Sequence, residues 1–208
     1  QTREGASTED ATFVRAEAAR LGLPFHLARR PVAEEAKARG LTFEEYARTV
    51  RYEHLLRTAR DRGCAVVATG HHADDQAETV LMRVIRGTGP QGIGGIPPVR
   101  TEAGIRIVRP LIRVTRAEIR DWLKERGIAF RTDASNDDPV FLRNRVRRDL
   151  LPRIEAEYNS RFRAALLRLS DMSRVENDLL HGLAEEFLAE CLRDNRIDRG
   201  RFARGHRA

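Results

Sequence analysis

Residues 66–98, VVATGHHADDQAETVLMRVIRGTGPQGIGGIPP, decide how this chain is read. Val66, Val67 and Ala68 predict a buried strand, and Ala77, Val80, Leu81, Val84 and Ile85 recur at helical spacing with a face suited to packing on a sheet. Where a strand of an open α/β sheet gives way to a helix, unpaired backbone N–H groups point outward and ligand chemistry gathers. Here that turn holds His71, His72, Asp74 and Asp75. Carboxylates at the positive end of a helix are stabilised as anions, so they can hold a cation, an amine or a proton-bearing nucleophile; the plain alternative is that they only cap the helix. Glu78 and Thr79 read as first-turn residues favoured by the dipole rather than as catalysts. The dense glycines that follow, Gly87 to Gly95, let the backbone turn tightly or approach a ligand, and are assigned to the mouth of a pocket.

Upstream, Ser7-Thr8-Glu9-Asp10 opens like a helix cap, and residues 24–32 read as a short strand. Thr42 and Glu45 form a capping box for a helix with Ala47, Val50, Leu55 and Ala59 on its buried side. Arg48 and Arg51 in this helix look, on pattern alone, like solvated surface residues, and Cys64 like a small buried hydrophobe. Downstream, residues 105–108 predict a strand. Thr115 and Glu118 cap a helix whose Ile119, Trp122 and Leu123 face inward, so Trp122 is read as core rather than as an RNA-stacking platform. A turn-rich acidic loop at 132–139 precedes Arg143, Arg145, Arg147 and Arg148. On a helix these four spread over more than one face, so they cannot share one role. From Phe162 onward Leu166, Leu169, Met172, Val175, Leu179, Leu183 and Phe187 mark a long helical packing stripe, expected to break near Gly182.

The 208 residues leave room for one α/β domain and part of another. The net charge of +7 is carried by arginine, since Lys37 and Lys124 are the only lysines. Residues 100–153 contain fourteen Lys or Arg against eight Asp or Glu, an excess that suits an RNA backbone, with genomic codon bias as the competing explanation. Cys64 and Cys191 stand far apart, which excludes a Cys-x-x-Cys metal knuckle and a disulfide framework. No apolar run is long enough to span a membrane and no signal peptide opens the chain, so the expected location is cytoplasmic, without a membrane partner.

Four separated motifs add a resemblance. TGHHADDQAET (69–79) followed by RGTGPQGIGGIP (86–97), ARTVRY (47–52), RPLIRVTRAEI (109–119) and DASNDDPVFLRNRVRRDLLP (133–152) resemble, in order, the signature of the tRNA(Ile)-lysidine synthetase family, within the N-type ATP pyrophosphatase or PP-loop superfamily. The likeness covers the chain to about Tyr158 and, more weakly, the helical remainder. It implies an α/β fold: a Rossmann-like parallel sheet with flanking helices in a nucleotide-binding catalytic domain at 1–157, then the start of an all-helical substrate-binding domain at 158–208. It implies ATP and Mg2+ as cofactors, with an isoleucine tRNA bearing a wobble cytidine and free L-lysine as partners. A homodimer is among the assemblies open to it. AMP would first be placed on the C2 oxygen of the cytidine, and the lysine side-chain amine would then displace it.

Residue by residue, the resemblance sets Arg51 and Arg143 against the phosphates in the catalytic centre, with Thr69, Gly70 and His71 completing the nucleotide site. Asp75 would hold the lysine amine, His71 would assist at the nucleotide or in proton transfer, and Arg145, Arg147 and Arg148 would meet tRNA phosphates. Arg51, Arg143 and Asp75 are expected around a common cavity, and no side chains are assigned to a metal. One departure stands out: the family's Ser-Gly-Gly-x-Asp-Ser phosphate loop has no counterpart here. The chain is therefore read as a fragment whose ATP binding alone would be abnormal. Two alternatives are a sulphur-transfer tRNA-modifying relative, which would need persulfide-carrying cysteines, and an inactive RNA-binding piece.

Overall fold

The computed structural model describes residues 4–131, 142–193 and 196–203; the acidic loop at 132–139 lies outside them. Contacts divide the chain into two units. The first comprises Gln1–Gly70, Pro98–Pro110 and Trp122–Asp133, and the second His71–Pro97, Leu111–Asp121 and Ala134–Ala208.

In the first unit, α1 (Glu4–Arg20), α2 (Val32–Ala38) and α3 (Phe43–Asp61) accompany a sheet of β1 (Val66–Ala68), β2 (Val99–Glu102) and β3 (Ile105–Val108). The first helix begins at Glu4, so residues 7–10 lie inside it rather than capping it. No strand forms at 24–31: an extended segment becomes a strand only by pairing, and the described sheet has the order β1-β3-β2 with both edges left unpaired. The capping box at α3 forms as read, the Thr42 side chain accepting from Glu45 N–H and the Glu45 carboxylate accepting from Thr42 N–H.

The buried side of α3 differs from the expected one. Tyr46, Tyr52 and Leu56 are buried beside Ala59, while Ala47, Val50 and Leu55 are only half-buried. Tyrosine buries more apolar area than alanine or valine once its hydroxyl is paired, and both hydroxyls are. Tyr46 donates to Glu35 at 2.7 Å, and Tyr52 accepts from Arg109 at 3.3 Å. Tyr52, Leu56 and Ala59 pack on Ile105 and Ile107, with Val67 alongside.

The sheet is mixed rather than wholly parallel. Val67 pairs with Ile107 in parallel register, whereas Thr101 pairs with Arg106 antiparallel. Ala103 (φ 49) and Gly104 (φ 79) explain the difference, because a two-residue turn with both φ values positive can join only antiparallel strands. The first strand is not buried on both faces: side chains alternate, Val67 meets the core, and Val66 and Ala68 are exposed. Cys64 is exposed as well.

Helix α6 (Arg116–Glu125) ends where Ile128 N–H reaches Leu123 C=O, with Gly127 at φ 60. Trp122 is 50% exposed with Arg126 stacked 4.2 Å from its ring, which corrects its reading as core; no residue of this helix is fully buried.

The second unit holds α4 (Ala73–Arg86), α5 (Pro90–Ile93) and the start of α6, then a helical run of α7 (Leu142–Arg145), a π-helical turn (Val146–Leu150) and α8 (Leu151–Glu157). It continues with α9 (Phe162–Cys191), a hairpin of β4 (Leu192–Arg193) and β5 (Arg196–Ile197), and α10 (Arg199–Phe202). Ala77, Val80 and Leu81 of α4 pack against Val146, Leu151 and Leu166, so within its unit the helix buries its stripe on other helices, and Val84 and Ile85 stay exposed.

The long helix runs unbroken through Gly182, and the hairpin interrupts the expected all-helical end. An interior glycine weakens a helix by about 1 kcal/mol relative to alanine without breaking it. Because α9 packs on α4, the contacts do not divide the chain at residues 157/158.

The glycine-rich loop after α4 is pinned down. Arg83 donates to the carbonyls of Gly92 and Gly95, and Gln76 donates to Gly94 C=O and accepts from Ile96 N–H. Ser170 on α9 also donates to Gly94 C=O.

Candidate active site at the start of helix α4

His72 caps α4. Its Nδ1 accepts from Asp75 N–H at 3.4 Å, and an Asp75 oxygen accepts from His72 N–H at 3.1 Å, a reciprocal pair that fixes both side chains. Asp74, on a different face, accepts from Arg116 N–H at 2.8 Å and so ties the beginning of α6 to that of α4. Asp75 thus does the capping work its position predicts, whereas Asp74 serves the start of another helix.

Asp75 does more. Its Oδ1 accepts from Arg143 at 3.0 Å and from Arg147 at 3.3 Å. One helical turn on, Glu78 occupies the same face and takes Arg143 Nε at 2.9 Å and Arg147 through both Nε (2.6 Å) and Nη2 (2.9 Å). Only 2% of the Glu78 side chain is exposed, against 34% for Arg143 and 20% for Arg147. The result is a carboxylate pair gripped by a guanidinium pair, charge-balanced and open on the Arg143 side. Burial disfavours the charged form of Arg147, but the Glu78 hydrogen bond and the charges of Glu78, Asp75 and Asp74 outweigh it and raise the arginine pKa. Arg163 adds a looser contact to Asp74 at 3.7 Å.

The arginines reach this face because Val146 and Leu151, between and after them, are anchored in the core. Arg143 and Arg147 stand four residues apart, the spacing that sets side chains on one helical face, and the π-helical turn begins between them at Val146. Arg145 and Arg148 remain exposed. Arg147, grouped with them as an RNA contact from sequence, is engaged by buried Glu78 and half-buried Asp75.

The second unit therefore brings together Asp75, Arg143 and, unforeseen, Arg147 and Glu78, with half-buried His71 next to the cap. The i, i+3 spacing of Asp75 and Glu78 was the signal available for Glu78. Arg51, Thr69 and Gly70 belong to the first unit. Arg51 is exposed on α3, and Thr69 N–H continues the sheet ladder to Val108 C=O at 3.0 Å. Among the described residues no group of three or more His, Cys, Asp or Glu is placed to hold a metal ion.

A Rossmann-related α/β unit, a capped His-Asp turn after its first strand and a paired acid–guanidinium nest define a class. The family model described as the PP-loop domain matches residues 2–154, and the chain belongs to that family. Among characterised proteins it is similar to the tRNA(Ile)-lysidine synthases of Symbiobacterium thermophilum (40% identical, 91% of this chain and 39% of that one), Geobacter sulfurreducens (41%, covering 89% and 39%) and Thermus thermophilus (43%, covering 85% and 33%). The chain spans about two fifths of the length of the first two. A solved structure of the U34-tRNA thiolase NcsA from Methanococcus maripaludis, with its [4Fe-4S] cluster, overlaps 61% of this chain and 42% of its own at 17% identity and a TM-score of 0.47, a likeness that carries no argument.

Proposed function

We propose that this chain serves the ATP-dependent joining of lysine to C2 of the wobble cytidine in an isoleucine tRNA. The observation that carries the reading is the convergence of Arg143 and Arg147 on Asp75 and Glu78, in a chain about 40% identical to named tRNA(Ile)-lysidine synthases. The domain boundary near 157 is retained as part of the reading, supported by the family match ending at residue 154.

The C2 oxygen of a cytidine is a poor leaving group, so it must first be made into a good one. In the first step that oxygen bonds to the α-phosphorus of ATP and the bond to pyrophosphate breaks. Charge accumulates on the phosphates, and a guanidinium, planar and always protonated, is the side chain suited to it. Arg143 is proposed for this role because it is the more exposed of the pair while Glu78 and Asp75 hold it in place. Arg51, exposed on α3, is the second candidate, with Thr69, Gly70 and His71 proposed to line the nucleotide site. Magnesium would travel with the nucleotide phosphates and neutralise the departing pyrophosphate.

In the second step the lysine nitrogen attacks C2, a proton leaves that nitrogen, and the C2–O bond breaks to release AMP. Lysine arrives protonated, so an anion must receive it. Asp75 fits: its two oxygens accept three donors here, so a lone pair remains for an ammonium. Glu78, nearly sealed and matched by three arginine donors, acts as a positioning residue that keeps the guanidinium pair aimed. His71 beside the cap is proposed to assist proton transfer, and exposed Arg145 and Arg148 to meet RNA phosphates. The cytoplasm, where tRNA, ATP and lysine meet, is the proposed location; no described helix is long and apolar enough to cross a membrane.

The test is to place Asp75→Asn and Arg143→Ala in the full gene product and to follow tRNA adenylation and lysine incorporation separately. Asp75→Asn should adenylate tRNA and fail to incorporate lysine, whereas Arg143→Ala should lose adenylation. Normal lysine transfer by Asp75→Asn would remove that residue from the reaction.

A further inference from the structure

Trp122 is the single tryptophan of the chain, and the fold leaves it 50% exposed on α6. Arg126, one helical turn on, stacks its guanidinium 4.2 Å from the ring centroid. The helix end holds it there: Gly127 N–H reaches Lys124 C=O, Ile128 N–H reaches Leu123 C=O, and Gly127 turns the chain at φ 60. Leu123 and Ile128 are half-buried, so they supply the apolar side of this helix end and the indole is left off it. The ion pair of Arg126 with neighbouring Glu125, at 3.8 Å and with both side chains at least half exposed, is of the weak surface kind.

Other stacked arginines in this chain differ. Arg39 lies 4.9 Å from the Tyr46 ring and Arg48 4.9 Å from that of Tyr52, and both tyrosines are buried, so there the guanidinium lids a core residue. At Trp122 it covers nothing sealed. An enclosed tryptophan buries about 150–250 Å², so half exposure leaves roughly 100 Å² in water. Folding alone gains by turning such a residue inward. A ring kept at the surface and braced by a planar cation has instead the make-up of a stacking platform, because unpaired nucleobases stack on aromatic rings and on guanidinium planes. The positive charge beside the ring also matches the phosphates that flank every base.

We propose that Trp122 and Arg126 form a stacking platform for an unpaired base of an RNA strand. The ligand class rests on the tRNA reading above; the platform itself rests on the exposed ring and its cation, neither of which belongs to the Asp75–Glu78 nest. The ring carries no charge, so it holds a base by its face with little regard to sequence, while Arg126 adds an attraction for an adjacent phosphate. Helical spacing alone puts Trp122 in an inward stripe with Ile119 and Leu123; its exposure decides the other way.

The single tryptophan is its own probe. Emission of Trp122 in this chain is followed while an RNA hairpin with a single-stranded loop, or a blunt RNA duplex of the same length, is added. Affinity is read in parallel by anisotropy of the fluorescein-labelled RNAs over a range of salt. The hairpin should quench the emission saturably and the duplex should not. Trp122→Leu should weaken hairpin binding about fivefold to a hundredfold, the range for one lost stacked base, and Trp122→Phe should restore most of it. The slope of log affinity against log salt should stay within about 0.3 of the parent's, because no phosphate contact is lost and each is worth about 0.7–0.9. Hairpin binding without quenching, or with full affinity in a folded Trp122→Leu, overturns the platform and leaves the tRNA reading standing. Absence of hairpin binding by the parent overturns both. Emission that shifts with protein concentration alone assigns the ring to a second copy of the chain and overturns the proposal. The quenching measurement needs no substitution, so it decides the question if a variant fails to fold.

Discussion

Replacing Glu78 with glutamine removes one charge from a nearly sealed side chain and barely alters its shape. The carboxylate takes three arginine donors, from Arg143 Nε and from Arg147 Nε and Nη2. A glutamine offers one acceptor oxygen and turns an NH2 group towards donors that cannot accept from it. Breaking a buried ion pair by removing one partner costs about 3–5 kcal/mol. Arg143 and Arg147 keep Asp75 and some solvent, so the loss should sit near the lower end, about 3 kcal/mol. For a domain of this size each kcal/mol moves the melting midpoint by roughly 2–4 °C, so Glu78→Gln should melt about 6–12 °C below the parent.

Circular dichroism melts give the midpoint, and a double-mutant cycle with Arg147→Gln gives the coupling, expected to be about 1 kcal/mol or more. Folding and activity then separate: the variant, assayed below its midpoint, should lose turnover because Arg143 and Arg147 are no longer aimed. A midpoint within about 2 °C of the parent, together with a coupling below about 0.3 kcal/mol, would refute the network as drawn.

Three further outcomes follow from other contacts. Gly95→Ala should destabilise by about 3 kcal/mol, because φ is +64° there and the new Cβ would lie 2.6 Å from a Gln76 amide already fixed by hydrogen bonds; urea midpoints measure it. Thr42→Ala should cost about 1 kcal/mol by removing one half of the α3 capping box, again read from denaturation. The Glu35 carboxyl is held below its ordinary value by hydrogen bonds from Arg30 and then Tyr46, so its contribution is complete above the unfolded-state value and is lost as pH falls through the depressed folded one. Glu35→Gln should therefore flatten the acid limb of the melting profile, and an unchanged limb would show that the pairing does not persist in solution.

The PP-loop family match and the α/β class were legible in the motifs, because those strings carry turn and cap chemistry that works over three or four residues. The Thr42–Glu45 and Thr115–Glu118 boxes formed as read for the same reason. Asp75 and Arg143 were named from the resemblance, but their 3.0 Å contact joins residues 68 positions apart, and no local pattern encodes such a distance. Glu78 was set aside because at a helix start a carboxylate that serves the dipole and one that grips two arginines are spelled alike.

Amino-acid order by itself determined where the boxed helices α3 and α6 begin and that an acidic pair would sit at the head of α4. Tertiary structure alone decided which face each helix buries: α4 packs on Val146, Leu151 and Leu166 of later helices, Trp122 stays outside, and Tyr52 collects three arginines from three elements. The physical reason is range. Caps and turns are settled by neighbours a few bonds away, whereas burial and charge pairing depend on which distant surface arrives to exclude water.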